Sequence, residues 1–256
     1  MENRMAEALA NQEFVIYLQP KVELQKNTVV GAEALVRWQD PERGLILPND
    51  FIPLFEKNGF ITQLDLYVFE EVCKLLRKWL DQGIRPWPLS VNLSRMHINK
   101  PDFLDCYKTI QEKYSIPSLL LEIELAKTQI FENLEQLHKV INQIHALGFR
   151  CSLDDFSSHS STVNLLKNVT VDTLKMDQMF LGAQLEQNTQ DKQVIESVVE
   201  LAQKLYMNTV AEGVETIPQL EFLRQVQCDI AQGYVFSKPL CVEDFEELAF
   251  TKQEQE

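Results

Sequence analysis

The chain has 256 residues, of which 45% are hydrophobic and 24% charged, and its formal net charge is −14. That length suits one α/β barrel and buries a large core, while the acidic balance excludes general binding to DNA or RNA polymers, which needs a basic face. No apolar run reaches the ~18 residues of a membrane span, and the acidic, amphipathic start MENRMAEALANQEF does not read as a signal peptide.

Residues 14–20, FVIYLQP, and 28–38, TVVGAEALVRW, read as strands joined only by ELQKN. A parallel crossover needs a dozen or more residues, so this first pair is an antiparallel hairpin. A polar loop, QDPERGLILPND, follows. A helical pattern then spans residues 65–82, with Leu66, Phe69, Val72, Cys73, Leu76 and Trp79 on one stripe. The strand PLSVNLS precedes a helix over residues 101–114 and the strand LLLEIEL. A long helix over residues 130–147 stops at Gly148, a common end signal. FRCSLDD, a short helix over 162–167 and VDTLKMD come next. Helices over 192–205 and 217–226 each lead into a strand, NTVAEG and CDIAQG. The tail TKQEQE reads as frayed.

Strands separated by helical patterns imply βαβ units and a parallel sheet. About eight strands with no domain-splitting linker, internal repeat or low-complexity segment favour a single closed domain over residues 1–256, its core at about 10–248. The expected fold is an irregular (β/α)8 TIM-like barrel with an antiparallel first strand. Cys73, Cys106, Cys151, Cys228 and Cys241 are odd in number and lack CxxC spacing. They read as reduced core or near-core thiols of a cytoplasmic protein, and no His/Cys pair has zinc-ligand spacing.

Polar residues close the apolar runs: Glu33, Asn92, Glu124, Asp154 and Asp155, Lys175 and Asp177, Glu212, and Gln232. In a β/α barrel such strand ends converge on one rim, where chemistry is done. Glu33, Asn92, Glu124, Asp154 and Asp155 are all hard oxygen donors, a set suited to Mg²⁺ or Mn²⁺ with Ca²⁺ as the alternative. Crowded carboxylates repel unless cations neutralise them, and adjacent acids such as Asp154 and Asp155 can serve two ions. Glu212 could bind metal or act as a general base. Lys175 could hold a phosphate oxygen or position the attacking water, and Arg37, on the Glu33 face of its strand, could clamp a phosphate. Bland readings stand beside these. Glu122 pairs with a core polar group or a lysine, Trp38 packs or stacks a ligand ring, and the four histidines are structural or exposed.

The chain resembles the EAL domain family of cyclic di-GMP phosphodiesterases. Glu33-Ala34-Leu35 spells the signature within GAEALVRW. YLQPK, SVNLSR, LLEIEL, SLDDF, VDTLKMD, VAEGVET and AQGYVFSKP follow in the family's order across about residues 10–248. The resemblance implies hydrolysis of cyclic di-GMP to linear pGpG over divalent ions, Mg²⁺ or Mn²⁺, with Ca²⁺ inhibitory. It matches Glu33, Asn92, Glu124 and Asp154 to metal ligands, Asp155 to the second ion, and Lys175 and Glu212 to the residues at the nucleophilic water. Arg37 matches a phosphate contact and Asp177 and Glu215 further active-site acids. Gln19, Leu35 and Gln232 match the substrate groove. It also implies a homodimer and coupling to a diguanylate-cyclase or sensory domain.

Two departures stand out. The family's DDFGxGYSS loop here reads Asp154-Asp155-Phe156-Ser157-Ser158-His159-Ser160-Ser161-Thr162, without its glycines and tyrosine. The ELTE glutamate that braces this loop is Lys127. Both changes predict a disturbed second ion, so binding should outlast catalysis. A non-catalytic cyclic di-GMP receptor is the alternative, and an interaction module without nucleotide binding a third reading.

Overall fold

The computed structural model describes residues 2–98, 102–126, 134–156, 169–178 and 189–250. Eight strands close into a barrel: β1 (Phe14–Glu23), β2 (Thr28–Asp40), β4 (Leu89–Leu93), β5 (Leu121–Ala126), β6 (Arg150–Phe156), β7 (Thr173–Met176), β8 (Asn208–Ala211) and β9 (Ile230–Ala231). From β2 through β4 to β9 every neighbour is parallel, whereas β1 runs antiparallel to both β2 and β9. The expected irregular barrel is therefore the observed one. β3 (Gly44–Ile46) lies outside the ring, paired with the far end of β2.

The helices are α1 (Met5–Ala10), α2 (Pro48–Asn58), α3 (Ile61–Asp81), α4 (Arg95–Ile98), α5 (Leu104–Lys113), α6 (Leu134–Ala146), α7 (Thr189–Lys204), α8 (Ile217–Gln225) and α9 (Val242–Phe250). The expected stripe of α3 is buried at Phe69, Val72, Cys73, Leu76 and Trp79. Local chemistry sets several boundaries. Pro48 opens α2 where a missing N–H costs nothing, and Gly59 ends it in the left-handed region at φ 79°. Thr216 and Gln219 form a reciprocal cap at the start of α8.

Three elements differ from the sequence expectation. The segment 39–50 is not all loop, because it contains β3 and the start of α2. Phe51 and Phe55 of α2 pack on Phe14 and Trp38, which overcomes the local Pro and Gly signals. α9 was not anticipated, and it forms because Phe245 and Phe250 pack on Trp79. Trp38 settles as packing, fully buried with its indole N–H donating to Glu13. Cys73, Cys151 and Cys228 are buried thiols, while Cys106 is exposed rather than near the core. The short helix over 162–167, the tail 251–256, the first residues of the long helix, Lys127 and the loop with Ser157, His159 and Ser160 lie outside the described residues.

Side-chain alternation divides every barrel strand. Leu89, Val91, Leu93, Leu121, Ile123, Leu125, Cys151, Leu153, Leu174 and Met176 are buried in the hydrophobic core shared with the helices. The alternate positions carry Ser90, Glu122, Glu124, Ser152, Thr173, Lys175 and Thr209, all buried as well. The barrel interior is polar, where aliphatic layers are the rule for this architecture.

Candidate active site

Lys175 on β7 stands at the centre of that interior with no exposed surface. Its Nζ lies 3.4 Å from Glu33 on β2, 3.6 Å from Asp154 on β6 and 2.6 Å from Glu212 just beyond β8. It also donates to Oε2 of Glu124 on β5. Four carboxylates, three from strands and one from the turn after β8, thus converge on one ammonium group. Burial alone drives a lysine toward neutrality, but these carboxylates outweigh it and hold Lys175 well above its ordinary pKa.

The other rim residues assemble around this centre. Glu33 accepts from Asn92 Nδ2 at 2.9 Å and from Gln232 Nε2 at 2.7 Å, and Gln232 also donates to Gln19 at 3.0 Å. Gln178 donates to Glu215 at 3.1 Å. A cavity of about 330 Å³ opens above the cluster, and Gln19, Leu35, Asp177, Glu215 and Gln232 all line it. Arg37 is not in that lining. Its guanidinium sits 5.5 Å over the Tyr17 ring and feels Tyr234 and Glu33 at the cavity edge. Asp155 follows Asp154 in β6, and its side chain lies outside the described residues. Glu33 is not at a strand terminus, since β2 continues past the rim to Asp40 to meet β3.

Two glycines position the rim. Gly213 takes φ 62°, and a Cβ there would lie 2.6 Å from Cβ of Gln178. A Cβ at Gly233 would overlap the Val214 backbone. Both turns thus need glycine to bring Glu212 and Gln232 over the centre.

Sequence reasoning missed Lys21. It is 5% exposed, and its Nζ reaches Glu124 Oε1 at 3.0 Å and Glu122 at 3.6 Å. Glu122 is accordingly the partner of a core lysine. Tyr234 and Gln178, which line the cavity, were also missed. The YLQPK motif contained the Lys21 signal, because Gln19 and Lys21 share a strand face.

The electrostatics are unbalanced. Lys21 and Lys175 are the lysines set against Glu33, Glu122, Glu124 and Glu212, two cations against four carboxylates, with Arg37 farther out from Glu33. Burial pushes the Glu124 carboxyl up, but Lys175 and Lys21 overcome it and hold it at about 2. Burial raises Glu212 well above its ordinary value, with Asp154 and Glu33 adding repulsion against Lys175. Burial and the Glu124 charge likewise raise Glu33. A divalent cation would relieve this crowding of carboxylates.

The donor chemistry fits such an ion. Glu33, Glu124 and Asp154 each place an oxygen within 3.6 Å of the same Nζ, and Asn92, bonded to Glu33, would present its oxygen if its amide turned over. Among the described residues no three His, Cys, Asp or Glu side chains already form a metal cage. Lys175 occupies their point of convergence.

The EAL domain family model matches residues 2–239. The chain belongs to the EAL domain family. The domain is 33% identical over 239 residues to the bifunctional diguanylate cyclase/cyclic di-GMP phosphodiesterase MucR of Pseudomonas aeruginosa, covering 93% of this chain and 35% of that protein. It is 33% identical over 247 residues to the cyclic di-GMP phosphodiesterase NbdA of the same organism, covering 96% of this chain and 31% of NbdA. The solved structure of the PaMucR phosphodiesterase in complex with c-di-GMP superimposes with a TM-score of 0.88 at 32% identity, covering 95% of this chain and 98% of that one. The chain spans about a third of the length of MucR and of NbdA. EAL phosphodiesterases generally use divalent metals. No described helix is long and apolar enough to cross a membrane.

Proposed function

We propose that this EAL domain hydrolyses one phosphodiester bond of cyclic di-GMP to linear pGpG, with a divalent cation held at the barrel rim. The observation that carries the reading is the convergence of Glu33, Glu124, Asp154 and Glu212 on Lys175, beneath a cavity lined by Gln19 and Gln232. Glu33, Asn92, Glu124 and Asp154 would hold Mg²⁺ or Mn²⁺, and Asp155 a second ion, with Ca²⁺ as an inhibitory occupant. When bound, the cation supplies positive charge to the phosphoryl group and acidifies water.

The remaining work falls to side chains. Glu212, whose side chain is 20% exposed and meets the cavity, accepts the proton of the attacking water. Lys175 holds Glu212 and the ligand carboxylates in one constellation and opposes negative charge developing on the phosphate. The water oxygen bonds to phosphorus as the bond to the 3′ oxygen breaks, Glu212 keeps the proton taken from that water, and the departing oxygen takes a proton from solvent to leave as a hydroxyl. Gln19, Leu35, Asp177, Glu215 and Gln232 contact the nucleotide from the cavity wall. Arg37, at its edge, reaches a phosphate.

In this reading the domain is one module of a cytoplasmic signalling protein, a setting supported by the joint diguanylate cyclase and phosphodiesterase name of MucR. A homodimer is part of the same proposal. Incubation with cyclic di-GMP and Mn²⁺ or Mg²⁺ should yield pGpG on chromatography, and Glu212→Gln should lower the rate at least about a thousandfold. No turnover with either ion, at high enzyme concentration, ends the phosphodiesterase reading. The altered loop at Ser157, His159 and Ser160, with Lys127, favours a receptor as the second reading. Saturable binding of cyclic di-GMP without product would select it.

A further inference from the structure

Glu124 is held differently from every other acid at the centre. It has no exposed surface, and its two oxygens are divided between two lysines, Oε1 to Lys21 at 3.0 Å and Oε2 to Lys175. Lys175 is shared with Glu33, Asp154 and Glu212. Lys21 serves Glu124 and Glu122 alone among the described ion pairs. We propose that Lys21 is a positioning residue that fixes the Glu124 carboxylate from below, so that Glu124 offers only Oε2 toward an incoming divalent cation. The proposal rests on the reading of Glu124 as a metal ligand.

The geometry of β1 places Lys21 there. β1 runs against β2, pairing Gln19 with Glu33 and Lys21 with Gly31. Each step downstream along β1 therefore goes deeper into the barrel, and Lys21 lies one layer below the rim amide of Gln19. Gly31 carries no side chain opposite it, and a Cβ there would already lie 3.1 Å from the Pro88 carbonyl oxygen and 3.8 Å from Cδ of Lys21. A cation arriving among Glu33, Asp154 and Glu124 meets Lys175 directly and repels it. Lys21 approaches Glu124 from the opposite oxygen and need not move. Glu122 balances its charge, with an Oε1 that makes no hydrogen bond and faces Lys21 at 3.6 Å. Groups that orient a ligand in this way are typically worth 10–100-fold in metal affinity.

The test compares Mn²⁺ binding by calorimetry for the whole chain, Glu122→Gln, and Lys21→Met combined with Glu122→Gln. The double variant has the wild-type net charge and removes the Lys21–Glu122 pair whole, so that only Glu124 Oε1 loses a partner. Charge alone and positioning predict opposite signs. Relative to Glu122→Gln, the double variant loses a positive charge, so charge alone tightens Mn²⁺ binding. Positioning weakens it, by about 10–100-fold. Unchanged or tighter binding overturns the proposal while leaving the metal reading intact. A wild type that binds no Mn²⁺ overturns both. Where the Met-containing variant does not fold, Lys21→Leu with Glu122→Gln likewise removes the donor to Glu124 and is expected to bind more weakly than Glu122→Gln, and equal or tighter binding again overturns the proposal.

Discussion

On β5, Leu121, Ile123 and Leu125 are buried among aliphatic and aromatic neighbours, whereas Glu122 and Glu124, on the opposite face, are buried among lysines. The same six-residue strand serves two environments. Each apolar side chain on the outer face gains ~1.5–3 kcal/mol from leaving water. The inner charges gain little net stability, because desolvation consumes most of their attraction. The difference teaches that the fold is held from outside the barrel, and that its interior is free to be arranged for chemistry.

Removing the shared ammonium should break this division most severely. Lys175→Met leaves Glu33, Glu124, Asp154 and Glu212 facing one another, and a loss of about 3–5 kcal/mol is expected in urea unfolding of the metal-free protein. Mn²⁺ should restore part of it, and a midpoint insensitive to the substitution would show that Lys175 does not knit the interior. Ile123→Ala attacks the outer face of β5, the strand that carries Glu124. It should cost about 2–4 kcal/mol in the same assay, while Mn²⁺ affinity stays within about twofold of wild type. A large change in affinity would mean that the two faces are not separable. The smallest effect is on pH dependence. Glu124 is held at about 2 against an ordinary 4.5, so its contribution is complete above about 4.5 and disappears as the pH falls through 2. The stability gap between wild type and Glu124→Gln, followed by urea unfolding at constant ionic strength, should narrow between pH 5 and pH 3. A constant gap would contradict the two-lysine grip.

The parallel strands and their rim residues were legible because alternation and downstream position carry the same message in every βαβ unit. The antiparallel entry was legible from the length of ELQKN alone. Lys21 escaped because β1 runs the other way, so its functional positions lie within the run and not at its downstream end. α2 escaped because Pro48 and Gly44 look like loop signals when the partners of Phe51 and Phe55 are unknown. The packing of α9 on Trp79 depends on a contact between residues far apart in sequence, which no local pattern contains. Motif identity located Gln19, Leu35, Asp177, Glu215 and Gln232 at one cavity, but could not show that Lys175 stands where the carboxylates converge.

β9 contributes only two residues to the wall, and its junction with β1 is where the last barrel strand meets the first. That seam is sewn by a few backbone bonds, Leu18 with Leu240 and Leu24 with Asp229, and by the Gln232–Gln19 side-chain bond across its mouth. A nucleotide gripped by both amides would therefore act as a rivet across that joint, tying occupancy of the cavity to the integrity of the wall.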